Sequence, residues 1–226
     1  MSVPRRRAAF EAEQAADELR PGPLGDLRFR RLVGEEGWTK LPAAVRERFG
    51  HRVAGCRTIL YSGEVFECRM NRAGRCLAQA ARLIGSPLPL SRARGVPAAV
   101  SVTEDPVSGG QHWLRIYGRE RGFPQVICSC KAFAGPTGLE EYLGRGFGVA
   151  LNVVADEGAL HFLSDHIFRR CCGLRLRLPR WLSPGDMVVS HVDRGDGSFI
   201  FELRLHHRWL GELVHQRAIF RERPSS

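Results

Sequence analysis

The side chains best suited to chemistry in this chain are its histidines and cysteines, and their spacing narrows what they can do. Histidine exchanges protons near neutral pH and ligates metals. His161, Asp165 and His166 fall close together, but not at the i, i+4 helical spacing that sets two histidines on one metal. His206 and His207 are adjacent in a strand-like run, so they point to opposite faces. His207 shares its face with Leu205 and Trp209. A histidine among apolar neighbours is either a hydrogen-bonded core residue or a polar group convergent on a cavity. A histidine acid/base would need a carboxylate such as Glu202 or Asp165, and Glu202 has the wrong parity for His207. Cys128 and Cys130 form a C-x-C on one strand face, whereas Cys171 and Cys172 are vicinal. Zinc wants two ligand pairs at suitable spacing, so the thiols read as small buried hydrophobes. No catalytic residue, metal ligand or cofactor is predicted.

Phosphate chemistry finds no support either. The chain has no P-loop, no dinucleotide fingerprint after a strand and no nucleophile elbow. "GRGFG" (Gly144 to Gly148) is glycine-rich, but it leads into a strand and so lacks the helix N-terminus that holds anions.

The elements that carry these residues are mostly strands. After Pro97, short runs of alternating polarity follow one another, separated by turn-formers such as "DPVSGG", "ADEGA" and "DRGDGS". Phe199, Phe201, Leu203, Leu205, His207 and Trp209 lie on one side of the clearest run, and Phe147, Val149 and Leu151 repeat the pattern earlier. About nine or ten hairpin-connected strands predict a mainly β fold: an antiparallel β-barrel or strongly curved half-barrel. Those nine named residues are the predicted lining of its interior, whether filled or hollow. Two or three short helices accompany the strands. "FRRLVGEEGWTKLPAAVRERFG" reads as two, with Pro42 in the first turn of the second and Gly50 at its stop. "RAGRCLAQAARLIG" reads as another, with Ala73, Leu77, Ala80 and Ile84 on one face. It could cover one end of the barrel.

The 226 residues divide into an extension over 1–27 and a single β-rich domain over 28–226. A formal charge of +10 favours acidic surfaces as partners. Yet only Lys40 and Lys131 are lysines, and the arginines (Arg115, Arg175, Arg177, Arg204, Arg208) alternate with apolar residues like a solvated outer face. That distribution argues against nucleic acid. No run approaches the ~18 apolar residues of a membrane span, and no secretory signal precedes the seven cysteines, so a cytoplasmic protein with free thiols is expected. In "GLRLRLPRWLSP" (Gly173 to Pro184), the leucines are expected inside, the arginines outside, and Trp181 and Leu182 folded over a barrel rim. Peripheral membrane contact by Arg180, Trp181 and Leu182 is the alternative.

"FRRLVGEEGWTKLPAAVRERFG", "LPRWLSP" and "DGSFIFELRLHHRWLGELVHQR" resemble, in that order, the bacterial domain-of-unknown-function family numbered 4166, across roughly Phe29 to Phe220. The chain departs from the family where its last strand reads "RAIF" in place of a closing Gly-Trp pair. The resemblance implies a compact, mostly β domain, sometimes fused to oxidoreductases of the saccharopine dehydrogenase type, and it brings no catalytic residues. The expected function is a non-catalytic binding module for an apolar or lipid-like ligand. The alternatives are an interaction domain serving a partner oxidoreductase, or an enzyme with a hydrophobic pocket and a histidine acid/base.

Overall fold

The computed structural model describes residues 25–53, 58–85 and 87–222; the expected extension lies almost wholly outside them, as does Cys56. Three short helices open the described chain: α1 (Arg28–Val33), α2 (Glu35–Lys40) and α3 (Ala43–Phe49). The helix expected first is split in two at Gly34, whose φ of +83° turns the chain in a way most side chains resist. Strand β1 (Thr58–Met70) follows, then helix α4 (Arg72–Ala80) with a 3-10 turn over Ala81–Ile84. The remaining strands are β2 (Val96–Glu104), β3 (Gln111–Tyr117), β4 (Gln125–Ala132), β5 (Glu140–Gly144), β6 (Phe147–Asp156), β7 (Ala159–Cys171), β8 (Leu174–Arg177), β9 (Asp186–Asp193), β10 (Ser198–His207) and β11 (Gly211–Glu222). β5 has no clear alternation in the sequence; it exists because β4 and β6 flank and pair with it.

Neighbouring strands run in the order β6-β5-β4-β3-β2-β1-β11-β10-β9-β7, and β6 pairs with β7 to complete the ring. The result is a ten-stranded antiparallel barrel. Closure removes the unpaired edges that a sheet of this size would otherwise expose. One end is plugged. Phe29, Trp38, Val45 and Phe49 from α1–α3 pack on Leu139, Leu151, Leu160 and Phe162 of the barrel. The opposite end is covered in part by α4, which Asn71 caps by accepting from the Gly74 N–H at 2.7 Å. Gly74 itself permits the close seat of α4, because a Cβ there would stand 2.0 Å from the Leu213 carbonyl oxygen. Leu77, Ala81 and Ile84 turn toward the barrel interior. Ala80, expected among them, is exposed, since the 3-10 turn shifts the apolar face to Ala78 and Ala81.

The pairing of β7 changes partner part-way along the strand. Ala159–Leu163 of β7 pair with β9, whereas Phe168–Cys171 pair with β8. Between them the strand ladder lapses: the Met187 N–H donates to Ser164 Oγ (2.8 Å) and the Leu178 N–H to the Ile167 carbonyl (2.9 Å), and Arg175 and Arg177 reach His166 and Asp165 by their side chains.

The β8 segment reverses its expected facing. Leu174 and Leu176 are 63% and 55% exposed, while Arg175 lies 4.1 Å over the Phe168 ring and donates from Nε to Glu140 Oε1 at 3.0 Å. β8 hangs off the far half of β7, outside the ring, so no core lies beneath its leucines. Phe168 and Glu140 are fully buried there, and the Arg175 guanidinium covers both. Gly148 makes room, since a Cβ would come within 2.5 Å of the Phe168 ring. The thiols also depart from expectation. Cys68 is buried, but Cys76, Cys128, Cys171 and Cys172 are exposed and Cys130 is half-buried. Cys128 and Cys130 take the outward parity of β4, and the vicinal pair sits at the β7–β8 turn.

Candidate functional site

The inward faces of the strands enclose a cavity of about 480 Å³, within the ~300–1,000 Å³ range of small-molecule sites. Its walls are mainly apolar, with Val100, Ile127, Val149, Phe162, Met187 and Val189 among them. Its mouth is framed by the α4 cover, the Leu178–Gly185 segment after β8 and the β10–β11 turn.

Of the nine residues predicted to line the interior, Phe147, Val149, Phe201, Leu203, Leu205 and His207 face the cavity. Trp209 belongs to the β10–β11 turn and stands at the mouth, 71% exposed. Leu151 and Phe199 are fully buried in the packed cores beside it and do not reach the space.

A charged cluster that alternation alone did not reveal sits on one wall. β4 turns Ile127, Ser129 and Lys131 inward; register sets Trp113 opposite Ser129 and Glu141 opposite Lys131. Arg115 follows Trp113 on the same face of β3, so it lies inside the barrel and not on the solvated face expected for it. Its guanidinium donates to Ser129 Oγ and to Glu141 Oε1, each at 3.0 Å. The Ser129 hydroxyl donates to the same Oε1 at 2.6 Å, and Lys131 Nζ donates to Oε2 at 3.0 Å. Lys131 Nζ also lies 4.5 Å from the centre of the Trp113 ring. Burial by itself would raise the pKa of Glu141, but the charges of Lys131 and Arg115 and the Ser129 hydroxyl hold it far below the usual carboxylate range. Burial pulls the Lys131 ammonium below its ordinary value, and Glu141 offsets this only in part. Two cations therefore share one carboxylate inside an apolar chamber. An anionic group entering the chamber would find the second cation.

The signal for this cluster was present in the sequence. Lys131, one of two lysines, continues the inward series Gln125, Ile127, Ser129 of β4.

The histidines are engaged elsewhere. His207 lines the cavity, but its Nδ1 accepts the Trp209 N–H at 3.3 Å and no carboxylate pairs with it among the described residues. Glu202 lies against His215 Nε2 at 2.7 Å, and Asp165 pairs with His166 Nδ1. Arg175 donates to the other His166 nitrogen at 2.9 Å, so both ring nitrogens are occupied. The pairing of His207 with Glu202 or Asp165 does not form. Among the described residues no group of three or more His, Cys, Asp and Glu side chains could hold a metal ion.

The chain matches, over residues 41–220, the family described as domain of unknown function (DUF4166). It belongs to that family. The matched span covers α3, α4 and all the barrel strands except the final two residues of β11, so the DUF4166 domain of this chain is the barrel itself. No curated protein and no solved structure matches the chain.

Proposed function

We propose that this DUF4166 barrel binds an amphiphilic acid, with the apolar body in the cavity and the anionic end against Lys131 and Arg115. The observation that carries the reading is the buried cluster itself. A cavity that was only a packing defect would be lined by apolar groups, because burying charge costs several kcal/mol per ion. Here the wall holds two cations against one carboxylate beside ~480 Å³ of space. Lys131 and Glu141 lie where β4 ends and β5 begins, near Phe162 of the plugged end. The ligand enters head-first, so its chain points back toward the mouth and its charge lies deepest. Long-chain carboxylates are the simplest chemistry that fits.

Native mass spectrometry of the gently purified protein, followed by solvent extraction, tests for a resident ligand. Displacement of an environment-sensitive fluorescent fatty acid from delipidated protein then compares a long-chain acid with its alcohol of equal length. Preferential binding of the acid is expected. Equal affinity for acid and alcohol, or binding of neither, overturns the proposal.

A further inference from the structure

We infer that the mouth of the barrel is a docking surface for an anionic lipid bilayer. This deepens the proposed function, since the mouth through which an amphiphilic acid would pass is the surface concerned. Three features converge there. The first is exposed apolar bulk on separate segments: Trp181 (75% exposed) and Leu182 after β8, Trp209 (71%) and Leu210 in the β10–β11 turn, and Leu83 of the 3-10 turn. Trp181 and Trp209 both line the mouth of the cavity, and Leu210 offers its carbonyl to Asn71 at the start of α4 at 3.0 Å. Large apolar groups gathered on one rim are uncommon on a freely soluble surface. Tryptophan in particular favours the headgroup region.

The second feature is charge. At the plugged end most arginines are paired, Arg28 with Asp26, Arg30 with Glu35, Arg48 with Asp193 and Arg52 with Glu104, while Arg31 and Arg46 are exposed with no carboxylate partner among the described residues. At the mouth end Arg72, Arg75, Arg82, Arg145, Arg180 and Arg208 have no carboxylate partner among the described residues. Arg177 at the mouth does meet Asp165, yet unpaired arginines are more numerous there than at the plug and stand beside the exposed apolar side chains. Unpaired arginines flanking exposed tryptophan and leucine match an anionic headgroup layer over an acyl interior. The third feature is the lapse in the ladder between β7 and β9, which opens beside Trp181, where a lipid chain could pass from bilayer to cavity without crossing water.

The test is co-sedimentation of delipidated full-length protein with vesicles of phosphatidylcholine alone or of equal parts phosphatidylcholine and phosphatidylglycerol. Binding to the mixed vesicles, little to the neutral ones, and release by high salt are expected, with a blue shift of tryptophan emission from Trp181 and Trp209. Leu182 and Leu210 lie outside the cavity lining, so L182S/L210S should weaken vesicle binding by at least roughly tenfold, the factor supplied by one partly inserted leucine. R72Q/R75Q on the exposed side of α4 should weaken it further at low salt. Equal binding to both vesicle types, or variants that bind like the parent, overturns the inference. Dimerisation without vesicles that the leucine variants abolish overturns it too, in favour of a second copy on this rim. Because vesicle binding needs no cavity ligand, acid displacement measured in solution reports separately on the proposed function.

Discussion

Replacing Glu141 and Lys131 in turn separates a binding cluster from a structural one. Glu141 accepts from Arg115, Ser129 and Lys131, and the side chains of Glu141 and Lys131 are almost wholly buried. Glu141→Gln leaves two cations in the chamber without their counter-charge, and its new NH2 group faces donors. Breaking a buried pair this way costs about 3–5 kcal/mol. Lys131→Met is milder, since methionine follows the lysine stem and Glu141 keeps Arg115 and Ser129. The loss is one charge-assisted bond, about 1.5–3 kcal/mol, offset in part because no ammonium is buried. Ligand binding should move the other way. Lys131→Met removes a cation from the acid site and should weaken a long-chain carboxylate by roughly 10- to 100-fold. Its alcohol should be barely affected. Glu141→Gln, measured on its folded fraction, should bind the acid more tightly than the parent, because the competing carboxylate is gone. Urea denaturation supplies the stability arm, and fluorescent-acid displacement the affinity arm. If Lys131→Met weakens acid and alcohol equally, or Glu141→Gln weakens the acid, the cluster supports the fold and has no part in recognising charge.

Four further outcomes follow from the same geometry. His191 is fully buried, stacked on Phe199 at 4.5 Å with Arg48 Nη1 3.2 Å from its Nε2; burial, then the nearby Arg48 charge, push its pKa down to about 3. Below pH ~6.5 the unfolded chain gains a proton that the folded one refuses, so stability falls as pH drops from there toward 3. At pH 5 the loss should reach about 2 kcal/mol, and His191→Phe should remove that slope in urea titrations; an unchanged slope would refute it. Ala218→Leu projects bulk into the cavity; it should lower acid affinity without the ~1–3 kcal/mol penalty of overpacking a filled core, and a large stability loss in thermal melts would mean that no space exists. Phe168→Ala should cost about 3–5 kcal/mol by the same melts, because the ring is wholly buried between the sheet and Arg175. Among the described thiols, Cys76, Cys128, Cys171 and Cys172 should react promptly with a disulfide reagent at pH 8, whereas Cys68, buried and pushed up to about 11, should react only after unfolding.

The barrel was legible in the sequence because its strands alternate with period two and end in turn-formers, and those are the signals that hydrogen-bonded hairpins require. β10 shows this: Phe201, Leu203, Leu205 and His207 line the cavity and Phe199, on the same face, packs in the core beside it. β8 shows where it breaks. "LRLR" has the same alternation, but alternation records which residues share a face and says nothing of which face meets the core. That depends on neighbours distant in sequence, here the buried Glu140 and Phe168 that need a cation more than a leucine. Arg115 misled for the same reason. Beside apolar residues it reads as the solvated partner, yet it occupies the inward parity of Trp113, and only the register of β3 on β4 reveals its carboxylate.

These two inversions have one physical cause. A charged side chain takes an inward position when its partner is also there, so burial of charge is a property of pairs and not of single residues. Glu140 with Arg175 on the outer face and Glu141 with Lys131 and Arg115 inside are adjacent along β5, pointing to opposite sides of one strand. The outer set is closed: Glu140 meets Arg175, Arg170 and the Tyr142 hydroxyl against the sheet. Both sets hold two cations against one carboxylate, but the outer arginines reach solvent, whereas the inner pair faces the enclosed space. Substituting Glu140 and Glu141 separately by Gln therefore tests whether location decides role. Both should destabilise, Glu141→Gln by about 3–5 kcal/mol and Glu140→Gln by less, because Arg170 and Arg175 can turn to water. Only the Glu141 change should alter the preference of the cavity for acid over alcohol. A Glu140→Gln protein with an altered preference would show that the outer network is coupled to the chamber through β5, and that the two faces of the strand act as one site.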